Sequence, residues 1–283
     1  MFGLATRYMV LATFFFALMN VSVKILAHLP PAEVAFYRSI VSLSLSYGLI
    51  RYSGLRLPGK NIRTLLLRGL FGSSSLLLYF ITLQRMPLAS AVTLQFLSPI
   101  FTTVLGIFLV KEKVKPLQWL FFAMAFAGVL VIQGFDYRVS PGDVLIGFAA
   151  SVFSGLAYNT IRKLRDSEHP FIIVFYFPFV SLPITGGLTF FHYVPPRGWD
   201  WFFLILIGCM AQIAQYFMTR AYQVDDLSKV SSLKYLGVIY ALVFGYLFFD
   251  EKFTWHVYLG IFIVLAGVVL NLGYKHYYVK SRG

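Results

Sequence analysis

Two cations stand inside runs that are otherwise apolar enough to cross a bilayer. Lys234 interrupts DLSKVSSLKYLGVIYALVFGYLFFDE, and Arg38 interrupts EVAFYRSIVSL. A charged side chain at a span centre costs about 2.5–3.5 kcal/mol on insertion scales, so it normally faces a wet cavity or a partner. Lys234 lies about eight residues inside its run, roughly 11 Å of helical rise, and its stem reaches only about 6 Å toward the headgroups. At that depth an ammonium attracts a carboxylate or phosphate and repels organic cations. Five amides share this setting: Gln95, Gln212, Gln215, Asn20 and Asn159. Each can orient a ligand by donating and accepting, or tie two helices together. Tyr79, Tyr235 and Tyr240 offer rings that could stack on a planar ligand. Arg38 fits either a structural tie or a contact with that ligand.

Covalent and metal chemistry has no such footing. The lone Cys209 permits no intramolecular disulfide and no thiolate cluster, and the five histidines show no ligand spacing. Neither a GxxxxGK phosphate loop nor a Gly-x-Ser-x-Gly elbow occurs. The sequence therefore calls for no catalytic residue, no metal and no cofactor, and the expected protein is not an enzyme.

The elements that must hold these side chains are long and apolar. Of 283 residues, 59% are hydrophobic and only 12% are charged, about half the charged share of a soluble domain. Ten apolar stretches have the length that hydrocarbon requires, near 7–27, 32–50, 63–84, 88–110, 115–134, 142–162, 170–191, 199–222, 227–249 and 254–274. The first is too long for a signal-peptide core and lacks a small-residue cleavage site, so it reads as a span. Between the spans little chain is left, so any function must lie inside the bundle. The net charge of +13 fits basic loops facing anionic lipid and cytoplasm better than a nucleic-acid partner. With the N-terminus inside, about seventeen Lys and Arg (Arg68 among them) fall on the cytoplasmic side and about five on the other. This asymmetry predicts an integral protein of a bacterial inner (plasma) membrane with both termini cytoplasmic.

The chain also matches itself at a constant offset of 139 residues: AGVLVIQG (Ala127–Gly134) falls on AGVVLNLG (Ala266–Gly273). At the same offset Gln84 meets Gln223, Gly69 meets Gly208, Asn20 meets Asn159, Lys24 meets Lys163 and Glu112 meets Glu251. Gln95 is the mate of Lys234. Five spans per half is an odd number, so the second half must be inverted relative to the first, and inverted repeats place a substrate site near the midplane between them. The predicted fold is an all-α polytopic membrane protein of ten transmembrane helices, with repeats at 1–136 and 140–275.

The copies LASAVTLQFLSPIFTTVLGIFLVKEKVKPLQWLFFAMAFAGVLVI and LSKVSSLKYLGVIYALVFGYLFFDEKFTWHVYLGIFIVLAGVVLN resemble the paired repeats of the EamA-type branch of the drug/metabolite transporter superfamily. EVAFYRSIVSL resembles its second helix, Arg38 included. The resemblance covers nearly the whole chain. It implies a central cavity lined mainly by helices 1, 3, 4, 6, 8 and 9, and transport of amino acids, nucleotide-like metabolites, sugar phosphates, vitamins or drugs in either direction. The family often has a carboxylate where this chain has Lys234, so the sign of charge is reversed here.

The expected function is alternating-access transport of a small organic metabolite with an anionic group, an amino acid or nucleotide-like compound. An exporter of aromatic or cationic drugs is the alternative, for which the aromatics speak and Lys234 does not. The expected partners are that substrate and the lipid bilayer, with the chain a monomer or a homodimer. Glu33, Glu112, Asp250 and Glu251 sit at span ends and no carboxylate occupies a span centre, which argues against carboxylate-based proton exchange. Lys24 and Lys163 suit interfacial anchors or gates, and Pro99 suits a kink in helix 4. The small residues Ala123, Ala127, Gly128, Gly260, Ala266 and Gly267 suit close packing or a dimer face.

Overall fold

A computed structural model describes residues 4–111, 116–135, 139–225, 230, 233–234, 236–252 and 254–280, and every regular element among them is helical. The first half holds α1 (Leu4–Ile25), α2 (Pro31–Tyr52), α3 (Ile62–Arg85), α4 (Leu88–Gln95), α5 (Ser98–Leu109) and α6 (Pro116–Phe135). The second holds α7 (Pro141–Lys163), α8 (Pro170–Phe191), α9 (Asp200–Val224), α10 (Leu236–Phe249) and α11 (Trp255–Lys280). Together they make ten spans, with α4 and α5 as the two pieces of the fourth and α10 as the later piece of the ninth. Among the described residues, six stretches are long and apolar enough to cross a membrane on length and hydropathy alone, Leu88–Leu109 being one. α2 dilutes its apolar character with Glu33, Arg38 and Arg51.

Local sequence explains the boundaries. Proline opens α2, α6, α7 and α8, where its missing N–H would have had no intrahelical partner. Asn61 and Ser140 cap α3 and α7, each side chain accepting a backbone N–H from the first turn. Pro178 and Pro183 survive inside α8, as prolines do in spans whose neighbours re-satisfy the backbone. The bundle is polar within and apolar without. Arg38, Arg68, Ser73 and Thr102 are buried, while Phe108, Phe190 and Leu247 are exposed on the outside where lipid tails would lie.

The repeat is written into the geometry. Gly69 of α3 sits so close to α8 that a Cβ there would lie 2.7 Å from the Val180 Cβ, and a Cβ on Gly208 of α9 would lie 2.4 Å from the Val41 Cβ on α2. Gly208 is the mate of Gly69, and Val180 the mate of Val41, so the same contact is made twice with the halves exchanged. Gln84 Nε2 donates to the Leu29 carbonyl at 3.2 Å, and its mate Gln223 Nε2 donates to the carbonyl of Leu29's mate, Glu168, at 3.0 Å. Lys111 and its mate Asp250 both turn through the left-handed region, with φ of 56° and 48°. Such exchange is the signature of a pseudo-two-fold axis lying in the membrane plane. The halves are inverted.

α6 packs along α11, and a Cβ on Gly128 would come within 2.6 Å of the Gly260 carbonyl oxygen. Two of the small residues anticipated for packing or a dimer face therefore meet inside one chain. The sequence suggested a kink at Pro99. The structure instead breaks the helix just before it, at Phe96 and Leu97, with Pro99 in the first turn of α5.

Candidate functional site

Helix breaks decide where the polar groups go. α4 ends at Gln95, and its mate Lys234 stands in a turn just ahead of α10. Both broken spans thus present a polar side chain at the same point of the repeat. Non-helical backbone at membrane depth is tolerated where it is buried in protein or lines a cavity. A cavity of about 120 Å³ lies beside both, walled chiefly by α1, α3, α4, α7 and the ninth span, with Arg38 added from α2, Phe177 from α8 and Gln215 from α9.

One wall is a hydrogen-bonded network. Lys234 Nζ donates to Tyr158 Oη at 2.9 Å and to Ser98 Oγ at 3.1 Å, and lies 4.2 Å from the centre of the Tyr158 ring. Gln95 Nε2 donates to Ser154 Oγ at 2.6 Å, and Ser154 shares a 2.6 Å hydrogen bond with Ser75. Ser154 and Tyr158 are one turn apart on α7, so they share a face. Asn20 Nδ2 donates to Tyr79 Oη at 2.9 Å from the side of α1.

The other wall carries two guanidiniums. Arg38 and Arg68 are 1% and 2% exposed, and each lies 4.8 Å from the centre of the Phe177 ring. Arg68 Nη2 donates to Gln215 Oε1 at 3.0 Å. Its path along α3 exists because Gly72, one turn on, has no Cβ; one there would lie 2.2 Å from Arg68 Nη1. Arg38 Nε and Nη1 and Arg68 Nε have no hydrogen-bond partner among the described residues.

The cavity thus gathers six of the residues singled out in the sequence: Asn20, Arg38, Tyr79, Gln95, Gln215 and Lys234. Three others lie elsewhere. Gln212 accepts a hydrogen bond from Ser46 Oγ at 3.1 Å, one turn from Gln215 but turned toward α2. Asn159 donates to the carbonyls of Thr102 and Gly155, both at 2.9 Å, and so ties α7 to α5. Tyr240 packs on Phe14 and Phe244 rather than on the cavity. Tyr235 and Glu112 lie outside the described residues. Arg68 belongs to the cavity wall, not to the loop cations with which the sequence grouped it, because it points two turns into the bundle along α3. Tyr158, Ser154, Ser75 and Phe177 join the wall without having been anticipated.

A second ionic feature closes the bundle at the end where α1 finishes. Lys24 Nζ lies 2.7 Å from Glu251 Oε1 and donates to the Met86 carbonyl at 2.9 Å. Glu251 also accepts the Leu88 N–H at 2.8 Å. One carboxylate of the second half therefore fastens the end of α1 and the start of α4. Glu251→Gln should raise several-fold the rate at which a Val92→Cys probe, in a Cys209→Ser background, reacts with an impermeant maleimide from that face. An unchanged labelling rate would show that this contact does not restrict access.

The model of the EamA-like transporter family matches residues 4–134 and again 141–273. The chain belongs to the EamA-like transporter family. The double match also coincides with the two structural halves. Among family relatives, the pseudopaline exporter CntI of Pseudomonas aeruginosa is 31% identical over 266 residues, covering 93% of this chain and 94% of the relative. Solute carrier family 35 member G1 of Mus musculus is 30% identical, covering 89% and 74%. A riboflavin transporter of Rhizobium johnstonii is 26% identical, covering 92% and 87%. A solved crystal structure with 17% sequence identity superposes with a TM-score of 0.75 over 93% of this chain and 94% of that one, which shows a shared fold. The protein is an integral membrane transporter.

Proposed function

We propose that this transporter is an alternating-access carrier for a small organic metabolite with an anionic group, of the amino-acid or nucleotide-like kind. One observation carries the reading. Lys234, Arg38 and Arg68 line a single cavity, and no carboxylate lines it among the described residues. Three cations with no carboxylate partner among the described residues would cost roughly 8–10 kcal/mol at span depth on insertion scales, comparable to the whole stability of a typical domain at about 5–15 kcal/mol. A bound anion offsets that cost, whereas an organic cation adds to it. The names of the relatives, an exporter and a vitamin transporter, support a carrier of organic solutes. The positive-inside asymmetry supports cytoplasmic termini in a bacterial inner membrane.

Counterflow into proteoliposomes tests the reading. Anionic amino acids or nucleotides should exchange, organic cations should not, and imposing a pH gradient should leave the rate unchanged, because no carboxylate lines the cavity wall among the described residues. Counterflow of organic cations without any of anions would overturn the reading. Impermeant labelling of a cysteine placed at either terminus should fail in right-side-out vesicles.

A further inference from the structure

We propose that the substrate carries two anionic groups, one received by the Arg38–Arg68 pair and the other by Lys234. The inference rests on the reading that this cavity takes an anion and goes beyond it by fixing the charge. Its basis is how little the protein itself does for each cation. Arg38 has the face of Phe177, at 4.8 Å, and no hydrogen-bond acceptor for Nε or Nη1. Arg68 shares that ring and has the neutral Gln215 oxygen, but its Nε is unpartnered. A ring quadrupole and one amide do not neutralise two neighbouring guanidiniums in a medium of low dielectric. The flat, forked donor arrays match a carboxylate or phosphate edge.

Lys234 is a separate centre. It projects from the broken ninth span and uses two of its three N–H groups on the hydroxyls of Ser98 and Tyr158. Both acceptors are hydroxyl oxygens, and one donor remains for a ligand. A monoanion seated on the arginine pair would leave this charge uncompensated; a dianion spanning the cavity satisfies both centres. Asn20 Oδ1 and Gln95 Oε1 are buried on the wall without a donor among the described residues. They would accept N–H or O–H groups from the ligand, so the substrate class is a dicarboxylate, or carboxylate–phosphate, that also bears an amine or hydroxyl.

Matched probes that differ by one anionic group test this directly: glutamate against glutamine, aspartate against asparagine, phosphoserine against serine. Binding is measured on the purified full-length protein by calorimetry and thermal shift. In at least one pair the member with the second anionic group should bind at least tenfold more tightly. In Lys234→Gln that preference should fall below twofold while the weaker member's affinity holds, and Arg38→Lys, which keeps the charge but loses the fork, should weaken both members. Equal binding within every pair, or equal loss for both members in Lys234→Gln, would overturn the two-centre proposal and leave the anion reading standing. Absence of binding by every anionic member would overturn both.

Discussion

Lys234→Gln is expected to lower counterflow of the anionic substrate at least tenfold and to leave the unfolding temperature in detergent nearly unchanged. Tenfold corresponds to about 1.4 kcal/mol, below the about 1.5–3 kcal/mol of a hydrogen bond to a charged group, so the figure is a lower bound. Stability should hold because glutamine can still reach the hydroxyls of Ser98 and Tyr158, which now accept from Lys234, and because removing a buried charge removes its desolvation cost. Arg56→Gln, on an exposed loop, should behave as wild type and controls for net charge. Unchanged counterflow in Lys234→Gln would mean that the ammonium serves the fold instead of the ligand.

The second large effect concerns the crossing of the two halves. Gly208→Ala should lower the unfolding temperature markedly, since its new Cβ would sit 2.4 Å from the Val41 Cβ and 2.6 Å from Val41 Cγ1; overpacking of this kind costs about 1–3 kcal/mol and occasionally more. The three nearest atoms to that Cβ all belong to one side chain. Val41→Gly should therefore restore much of the loss. Gly69→Ala should be as harmful but resist the equivalent rescue by Val180→Gly, because its Cβ would also lie 2.6 Å from the Tyr176 backbone carbonyl. A double-mutant cycle on thermal unfolding reads the difference. Rescue in both pairs, or in neither, would contradict the geometry.

The contrast between those pairs marks what could be read from sequence. The offset of 139 residues was legible because glycine, glutamine and lysine mates stand out in apolar text, and it placed Gln95 and Lys234 at equivalent points. Which side of a mate faces the cavity was not legible. Asn20 and Asn159 are mates, yet only Asn20 lines the wall, since Asn159 spends its amide on the backbone of α5 and α7. Gln212 and Gln215 share a stripe, but successive residues at i and i+3 differ by about 60° around the helix axis, enough to turn one toward Ser46 and the other toward Arg68. Arg68 escaped notice because an arginine near the start of a span looks like a headgroup anchor. Its burial depends on Phe177 and Gln215, which come from the other half of the chain. Tyr158 is one of 18 tyrosines, and nothing local distinguishes it.

Arg38 and Phe177 are themselves mates at that offset, and the guanidinium lies 4.8 Å from the ring. Residues exchanged by a two-fold operation can touch only beside its axis, so this pair marks where the pseudo-two-fold axis passes through the bundle. When two halves related by such an axis trade conformations, a point on the axis maps onto itself, whereas one far from it maps to the opposite side of the bundle. In a carrier that works by such an exchange, the charge facing the cargo would keep its position while the helix ends swing around it, and the anion would never be left without a counter-ion in mid-passage.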